Sequence, residues 1–157
     1  RLEGPRHWGS AVLRVRLTDP GSIRWRLDPR KFDSPHLFRV GDRVLMVARR
    51  HLRGDGRFDH GRTWLPASLR TRVEQAGYSA SRKRSALWEV DPESLEVAWL
   101  ADLPSRGDTS FGAVLAGRSA GQFTVVDYTS PLDGPDTSWI RGQLGRTEIV
   151  ATEVELR

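Results

Sequence analysis

The sequence contains no cysteine, which excludes disulfides and thiolate metal sites. Histidine is scarce as well, because the four histidines are dispersed and form no His-x-x-x-His pair. There is no glycine-rich phosphate loop and no Gly-x-Ser-x-Gly turn around a nucleophilic serine. Apolar runs stay well below the ~18 residues that a membrane-spanning helix needs. We therefore expect no metal site, no cofactor and no membrane segment.

Lysine is almost absent: Lys31 and Lys83 are the only lysines among 25 basic residues, and 20 acidic residues leave a net charge of +5. A basic balance is typical of chains that bind nucleic acid or another polyanion. Here the arginines are interspersed with acidic residues, which favours a solvated surface instead. We do not expect a nucleic acid partner, and binding of a polyanion stays an alternative. No signal peptide is visible, so the sequence predicts no compartment.

Short apolar runs bounded by Gly, Pro, Asp or Ser dominate the chain, and this pattern predicts β-strands. The predicted strands are 11–17, 23–27, 36–40, 44–49, 86–90, 97–100, 112–116, 123–128 and 148–156. One segment differs, because WLPASLRTRVEQAGYS carries apolar residues at helical spacing, with Pro66 suited to a first turn and Gly77 suited to a stop. It predicts a short helix over 66–76 inside a long loop.

Two pairs of segments repeat along the chain in the same order. RLTDPGSIRWRLDP (16–29) and EVDPESLEVAWLADLP (89–104) share an Asp-Pro turn followed by a tryptophan. DSPHLFRVGDRVLMVARR (33–50) and DTSFGAVLAGRSAGQFTVVDYTS (108–130) share a leading aspartate, an apolar strand, a glycine loop and a second apolar strand. The match equates Asp33 with Asp108. Such repetition indicates a fold built from copies of one unit.

The repeated unit is a four-stranded antiparallel meander, and such units are the blades of β-propellers. We predict an all-β fold of four-stranded antiparallel blades of a partial β-propeller, with one short helix in an insertion. Residues 1–157 would then hold roughly two and a half blades. They are the last hairpin of one blade (11–27), one whole blade (33–102) and the first three strands of another (110–156). We expect the remaining blades to precede this chain, and a self-contained β-sandwich is the structural alternative.

The direction of the strands predicts which polar residues share an edge. In an antiparallel meander, the start of the first strand, the end of the second and the start of the third lie at one rim. Asp33 starts a first strand, and Arg49 and Arg50 end the second. The other predicted members of this rim are Arg84, Asp108, Tyr128 and Arg141. Successive residues of a strand face opposite sides, so we expect at most one of Arg49 and Arg50 to reach the central mouth.

Carboxylates that face arginine and tyrosine around a concave mouth suit a sugar or another polyhydroxylated ligand. Arginine also offers a planar fork to a carboxylate or sulfate. Glycoside cleavage needs an acid together with a base or nucleophile, and Asp33 and Asp108 are the candidates for this pair. Tyr128 is a candidate nucleophile or stacking residue, and Trp139, in a polar loop, is a candidate sugar platform.

Several blocks of the chain together resemble the sialidase-like and related glycosidase β-propellers. They are FDSPHLF, GDRVLMVARR, RKRSALWEVD, DTSFGAVL, FTVVDYTS and SWIRGQLGRTEIVATEVE. RFDHGRTW (57–64) also keeps Asp59, Gly61, Thr63 and Trp64 of a turn signature of that family, with Arg57 in place of its serine.

The resemblance implies that this chain is the C-terminal part of a glycoside hydrolase that acts on a glycan. Sialidases hold the sugar carboxylate with three arginines. The resemblance implies that the three corresponding residues here are Arg84, Arg141 and one of Arg49 and Arg50. It offers Tyr128 as the tyrosine nucleophile, and it places no glutamate partner for that tyrosine. A propeller that binds carbohydrate without cleaving it is the alternative function.

Overall fold

The structure is a computed structural model that describes residues 2–4, 7–58 and 60–156. Asp59, part of the predicted turn signature, lies outside the described residues. The strands are β1 (Leu2–Gly4), β2 (His7–Arg16), β3 (Asp19–Asp28), β4 (Asp33–Val40), β5 (Arg43–His51), β6 (Lys83–Val90), β7 (Val97–Asp102), β8 (Ser110–Ala116), β9 (Gln122–Thr129) and β10 (Glu148–Glu155). The helices are α1 (Ala67–Ser79) and α2 (Trp139–Gly142), with a 3-10 turn at Gly54–Gly56. No helix among these residues is long and apolar enough to cross a bilayer.

The described strands form three antiparallel sheets in which neighbours in space are also neighbours along the chain. Their orders are β1-β2-β3, β4-β5-β6-β7 and β10-β9-β8. The four-stranded sheet coincides with the predicted whole blade (33–102), and the last sheet coincides with the predicted three strands of the next blade (110–156). The prediction of an all-β class with antiparallel sheets is therefore confirmed. None of the described sheets closes on itself, and their assembly into a propeller stays a prediction.

The central sheet is buried on both faces, because strand β5 alternates between two apolar cores. Met46 and Ala48 face the core that includes Trp88, against which Val12 of strand β2 packs. Leu45 and Val47 face the other core, which includes Phe123 and Val125 of strand β9. A strand buried on both faces reads as a continuous apolar run, which explains the uninterrupted VLMVA at its centre. The three sheets are thus stacked face against face.

The segment between β5 and β6 contains the helix, which is longer than the sequence predicted. Helix α1 runs through Gly77 and ends at Ser79, because the last turn is held by contacts outside the local sequence. Tyr78 is almost fully buried, and Glu74, also buried, accepts a hydrogen bond of 2.7 Å from Nη1 of Arg62. Burial of that last turn outweighs the roughly 1 kcal/mol that a glycine costs inside a helix. The insertion therefore delivers Tyr78 to the end of the central sheet.

Strands β4 and β8 each begin with a bulge, and this detail corrects the matched positions of the repeat. The register of β4 on β5 shifts between Asp33 and His36, and that of β8 on β9 shifts between Ser110 and Ala113. In each bulge the residue after the strand's first residue has a left-handed backbone, at Ser34 and at the corresponding residue of β8. Asp33 therefore corresponds to Ser110 and not, as the sequence match suggested, to Asp108.

Candidate functional site

A pocket of about 380 Å³ opens where strands β4 and β8 begin and strands β5 and β9 end. We call it the rim pocket. Its lining residues are Phe32, Asp33, Ser34, Pro35, Arg49, Phe111, Tyr128, Trp139 and Gln143. The central sheet, the last sheet and helix α2 all contribute, so the pocket depends on how these elements pack together.

A larger groove of about 660 Å³ lies at the opposite ends of the same strands, between the β4–β5 and β8–β9 hairpins. Its charged side chains already have partners: Arg43 donates two hydrogen bonds to Glu89, and Arg39 lies 3.8 Å from the carboxylate of Asp42. The polar groups that suit chemistry are concentrated in the rim pocket instead. We therefore take the smaller cavity as the candidate site.

Asp33 is the buried carboxylate of the rim pocket. Arg49 lies directly opposite it on β5 and donates from Nη2 to Asp33 Oδ2 at 2.9 Å. The hydroxyl of Tyr78 donates to the same oxygen, and Lys31 Nζ lies 3.8 Å away. Burial alone would raise the pKa of Asp33, but the charge of Lys31, the two hydrogen bonds and the charge of Arg49 outweigh it and hold that pKa below its usual value. Asp33 is therefore ionised at neutral pH.

Arg49 is the cation of the rim pocket and is held from three sides. Besides Asp33, its Nη1 contacts the carbonyl oxygen of Thr109 at 3.4 Å, and its guanidinium carbon lies 4.9 Å from the ring centroid of Trp139. Its Nε is buried and has no hydrogen-bond partner among the described residues. A guanidinium placed over an aromatic ring and paired with a carboxylate is typical of arginine sites that lysine does not replace conservatively.

Asp108 lies behind the wall of the rim pocket and contacts two of its rings. Trp139 Nε1 donates to Asp108 Oδ1 at 2.9 Å, and the Tyr128 hydroxyl donates to the same oxygen at 3.3 Å. Burial, followed by the negative charge of Asp108, raises the pKa of Tyr128. Asp108 thus orients Tyr128 and Trp139, and Tyr128 is protonated before it reacts.

A close backbone contact places Trp139 in the site. Helix α2 begins after Ser138, whose side chain accepts from the Arg141 N–H, and Gly142 lies at its end. A Cβ built on Gly142 would lie only 2.2 Å from the backbone nitrogen of Asp108. The backbone N–H of Trp139 also donates to the backbone carbonyl of Ser81 at 2.9 Å. Trp139, predicted in a loop, therefore starts a short helix that is fixed between the last sheet and the insertion.

The structure brings together Asp33, Arg49, Asp108, Tyr128 and Trp139 of the residues predicted from the sequence. It does not bring the other three arginines to the rim pocket. Arg50 lies on the face of β5 opposite to that of Arg49, and Arg84 lies beside Arg50 on β6. Arg141 is exposed on α2.

Arg50 and Arg84 are paired with other carboxylates. Arg50 donates to Asp102 and lies 5.3 Å from the ring centroid of Trp99. Arg84 donates two hydrogen bonds, of 3.0 and 2.8 Å, to Asp136. Because directly paired residues of neighbouring strands share a face, the pairing of Arg50 with Arg84 keeps both on the side away from Arg49. The predicted three-arginine cluster is not formed by these residues.

The sequence reasoning missed a buried cluster behind Asp33 that contains Tyr78 and both lysines. The Nζ atoms of Lys31 and Lys83 lie 3.7 and 3.6 Å from the ring centroid of Tyr78. Lys83 also donates to the Tyr78 carbonyl and to the hydroxyl of Ser81. Burial, with the nearby charges of Arg49 and Lys31, lowers the pKa of Lys83 to about 6.

A compositional signal pointed to this cluster. Arginine holds its charge in every environment, whereas a buried lysine can lose its proton. In a chain that uses arginine almost everywhere, the two lysines are therefore the basic residues whose environment differs most from the rest. Both prove to be almost fully buried beside Tyr78.

Neither a metal-binding cluster nor a similarity to known proteins points to a function. No group of three or more histidine, aspartate or glutamate side chains is placed to hold a metal ion within the described part of the chain. Comparison with models of known protein families and with curated protein sequences finds no match to this chain.

Proposed function

We propose that this chain is part of a carbohydrate-active β-propeller and that the rim pocket binds one sugar unit of a glycan. The observation that carries this proposal is the meeting of Asp33, Arg49, Tyr128 and Trp139 in one cavity from separate parts of the chain. A carboxylate and a guanidinium bind hydroxyl or carboxylate groups, and aromatic rings contact the apolar face of a sugar.

The exposed faces of the two outer sheets support the propeller. On the β2–β3 hairpin, Leu13 and Trp25 are paired across the strands and are each 61% exposed. On the last sheet, Leu115 and Ile149 are exposed as well. Large apolar surfaces of this kind are usually covered by another element. Further sheets stacked at both ends would cover them, as a propeller requires.

We propose glycoside hydrolysis of the sialidase-like type as the reaction. In the first step the Tyr128 oxygen attacks the anomeric carbon and passes its proton to Asp108. The glycosidic bond breaks, and its oxygen takes a proton from the minor protonated fraction of Asp33, which grows as the pH falls. In the second step water attacks the glycosyl–tyrosine bond and gives its proton to Asp33, while the Tyr128 oxygen recovers a proton from Asp108. The contact between Tyr128 and Asp108 supports this assignment, because a phenol needs a base to become a nucleophile.

Sugar binding without cleavage is the second candidate, and the surroundings of Asp33 favour it. Lys31, Tyr78 and Arg49 keep Asp33 ionised. An ionised aspartate accepts hydrogen bonds from sugar hydroxyls but has no proton for a leaving group. A hydrolase that used Asp33 as its acid would therefore become more active as the pH falls toward the lowered pKa of Asp33.

A panel of aryl glycosides, including a sialoside, tests the two candidates on the full-length protein. Hydrolysis predicts turnover that increases toward acidic pH, and loss of turnover with retained sugar binding in Tyr128→Phe. The binding function predicts that sugars bind in a glycan array while no glycoside is cleaved. If the protein neither binds nor cleaves any sugar, both candidates fail. Binding to heparin that weakens steeply with salt would instead support the polyanion alternative.

A further inference from the structure

Phe111 lines the rim pocket in a conformation that packing and backbone energetics both disfavour. Phe111 is 72% exposed, although it is a large apolar residue. Its φ angle is 59°, in the left-handed region that bulky residues rarely adopt and that costs on the order of 1–3 kcal/mol. Neither the exposure nor the strained backbone stabilises the fold, so we look for a role of Phe111 other than stability.

The bulge at the start of β8 aims Phe111. The register shift between Ser110 and Ala113 allows Phe111 to turn outward, while Gly112 turns inward against the central sheet. A Cβ on Gly112 would lie 2.8 Å from Val47 Cγ1, so the glycine permits this close approach. Bulges of this kind occur next to functional sites, where they redirect a side chain.

A bulge with a left-handed residue also occurs at the start of β4, the corresponding point of the central sheet. There the bulge follows Asp33, and Ser34 has a φ angle of 50°. Both left-handed residues, Ser34 and Phe111, line the rim pocket. Two strained residues at equivalent positions of two sheets, both facing one cavity, indicate a feature of the site and not an isolated irregularity.

Phe111, Tyr128 and Trp139 together form an aromatic wall of the rim pocket. The ring of Phe111 stacks on Tyr128 with the centroids 6.1 Å apart and an angle of 25° between the ring planes. Asp108 fixes the hydroxyl of Tyr128 and the indole of Trp139. The outer ring of this wall, Phe111, is the exposed one, so one of its faces is open to a ligand.

We propose that Phe111 is a ligand-stacking residue of the rim pocket, which binds a six-membered sugar with its C–H-bearing face against Phe111 and its polar edge toward Asp33 and Arg49. This inference rests on the proposed function and specifies the kind of substrate. It selects sugars with an apolar ring face over flexible polyols and over planar anions that lack one.

The experiment compares sugar binding by the full-length protein and by variants of Phe111. The probes are free N-acetylneuraminic acid, glucuronic acid, galactose and glucose, followed by titration with whichever binds best. Phe111→Ala and Phe111→Leu are expected to weaken binding by roughly tenfold, because both remove the ring. Phe111→Tyr keeps the ring and is expected to bind like the wild type. Leu115→Ala, which also shortens an apolar side chain of β8 but lies outside the rim pocket, is the control and should leave binding unchanged.

Stability distinguishes ligand stacking from packing. Phe111→Gly removes the backbone strain, so the variant is expected to unfold at the same or a higher temperature than the wild type while binding the sugar more weakly. A clear loss of stability in Phe111→Gly and Phe111→Ala, with unchanged binding, would show that Phe111 packs against another part of the protein and would overturn the inference.

The outcomes also separate this inference from the proposed function. If the wild type binds one of the sugars and Phe111→Ala binds it equally well, the inference fails and the proposed function stands. If the wild type binds none of them and no glycan of an array, the proposed function fails and the inference fails with it.

Discussion

Asp33 and Arg49 face each other across strands β4 and β5, with 2.9 Å between Asp33 Oδ2 and Arg49 Nη2. Both side chains are nearly buried, at 6% and 9% exposed. Removing charges from water is costly, and removal of one partner leaves the other without compensation. This pair therefore links the electrostatics of the rim pocket to the stability of the central sheet.

The buried pair predicts a large difference between two adjacent arginines. Arg49→Met is expected to lower the free energy of unfolding by about 3 kcal/mol, because the Asp33 carboxylate loses its closest cation. Arg50→Met removes a more exposed pair with Asp102 and is expected to cost at most about 1 kcal/mol. Urea unfolding of both variants measures the difference, and equal losses would contradict a special role for the Asp33–Arg49 pair.

Tyr78→Phe is expected to change how stability depends on pH. The folded-state pKa of Asp33 is lowered, so Asp33 contributes stability above its unfolded pKa of about 3.9, and this contribution is lost as the pH falls through the lower folded value. Without the Tyr78 hydroxyl, that contribution shrinks. The variant should be less stable by roughly 1–2 kcal/mol at neutral pH, and the difference should narrow in acid. Unfolding midpoints from about pH 2 to about pH 7 measure it.

The other tyrosine supplies the control for that prediction. Tyr128 is only half-buried, and its hydroxyl contacts Asp108 at 3.3 Å. Tyr128→Phe should therefore change the acid limb of the stability curve much less than Tyr78→Phe. A pH profile that is identical in Tyr78→Phe and the wild type would exclude the hydrogen bond to Asp33 as a source of stability.

Asp127→Asn is expected to stabilise the protein at neutral pH. Burial raises the pKa of Asp127 despite hydrogen bonds from Ser85 and Thr109, and its Oδ1 has no partner among the described residues. Because the folded pKa lies above the unfolded one, the cost of the buried charge is fully present above the folded pKa and is absent below the unfolded pKa of about 3.9. The gain in melting temperature should therefore appear near pH 7 and vanish in acid.

Asp127→Ala is the matched variant for this test. It removes the charge but also the acceptor of Thr109, so it should destabilise the protein at every pH. If Asp127→Asn proved less stable than the wild type at neutral pH, the carboxylate would have to be satisfied by a group outside the described residues.

Gly142→Ala is expected to disturb the site through backbone contact. The added methyl would meet the backbone nitrogen of Asp108 at 2.2 Å, so helix α2 must shift and the Trp139–Asp108 hydrogen bond must lengthen. We expect a loss of roughly 1–3 kcal/mol together with weaker sugar binding. In Gly145→Ala, the nearest atom lies at an ordinary 3.5 Å, so that variant should stay within about 0.5 kcal/mol of the wild type. Thermal unfolding and sugar titration of both variants measure the contrast.

The candidate site was only partly predictable, and the failures have specific causes. Strand direction correctly brought Asp33, Arg49 and Tyr128 to one end of the sheets. Strand direction also predicted that Arg84 lies at the site, and this was wrong. The position of a residue at the end of a strand tells which edge of the sheet it is near, but not which face of the sheet its side chain is on. The register of β6 on β5 decides the face and turns Arg84 toward Asp136.

Tyr78 could not be assigned from its surroundings in the sequence. It lies in the last turn of a helix that the pattern predicted to stop at Gly77, and its partner Asp33 is 45 positions away. The bulges of β4 and β8 likewise have no clear local signal, and they moved the equivalence of Asp33 from Asp108 to Ser110.

The amino-acid sequence alone predicted the strands from β2 onward, their antiparallel order and their division into separate sheets, because alternating apolar residues and Gly, Asp and Pro turns act over a few neighbouring positions. It did not predict β1, which adds a third strand to the predicted first hairpin. The tertiary structure alone decided which charged side chains meet. Asp33 becomes a buried, ionised group through Arg49, Lys31 and Tyr78, and these contacts depend on register, bulges and the folding back of the insertion. The contact with Tyr78 joins positions 45 residues apart, where local patterns carry no information about distance.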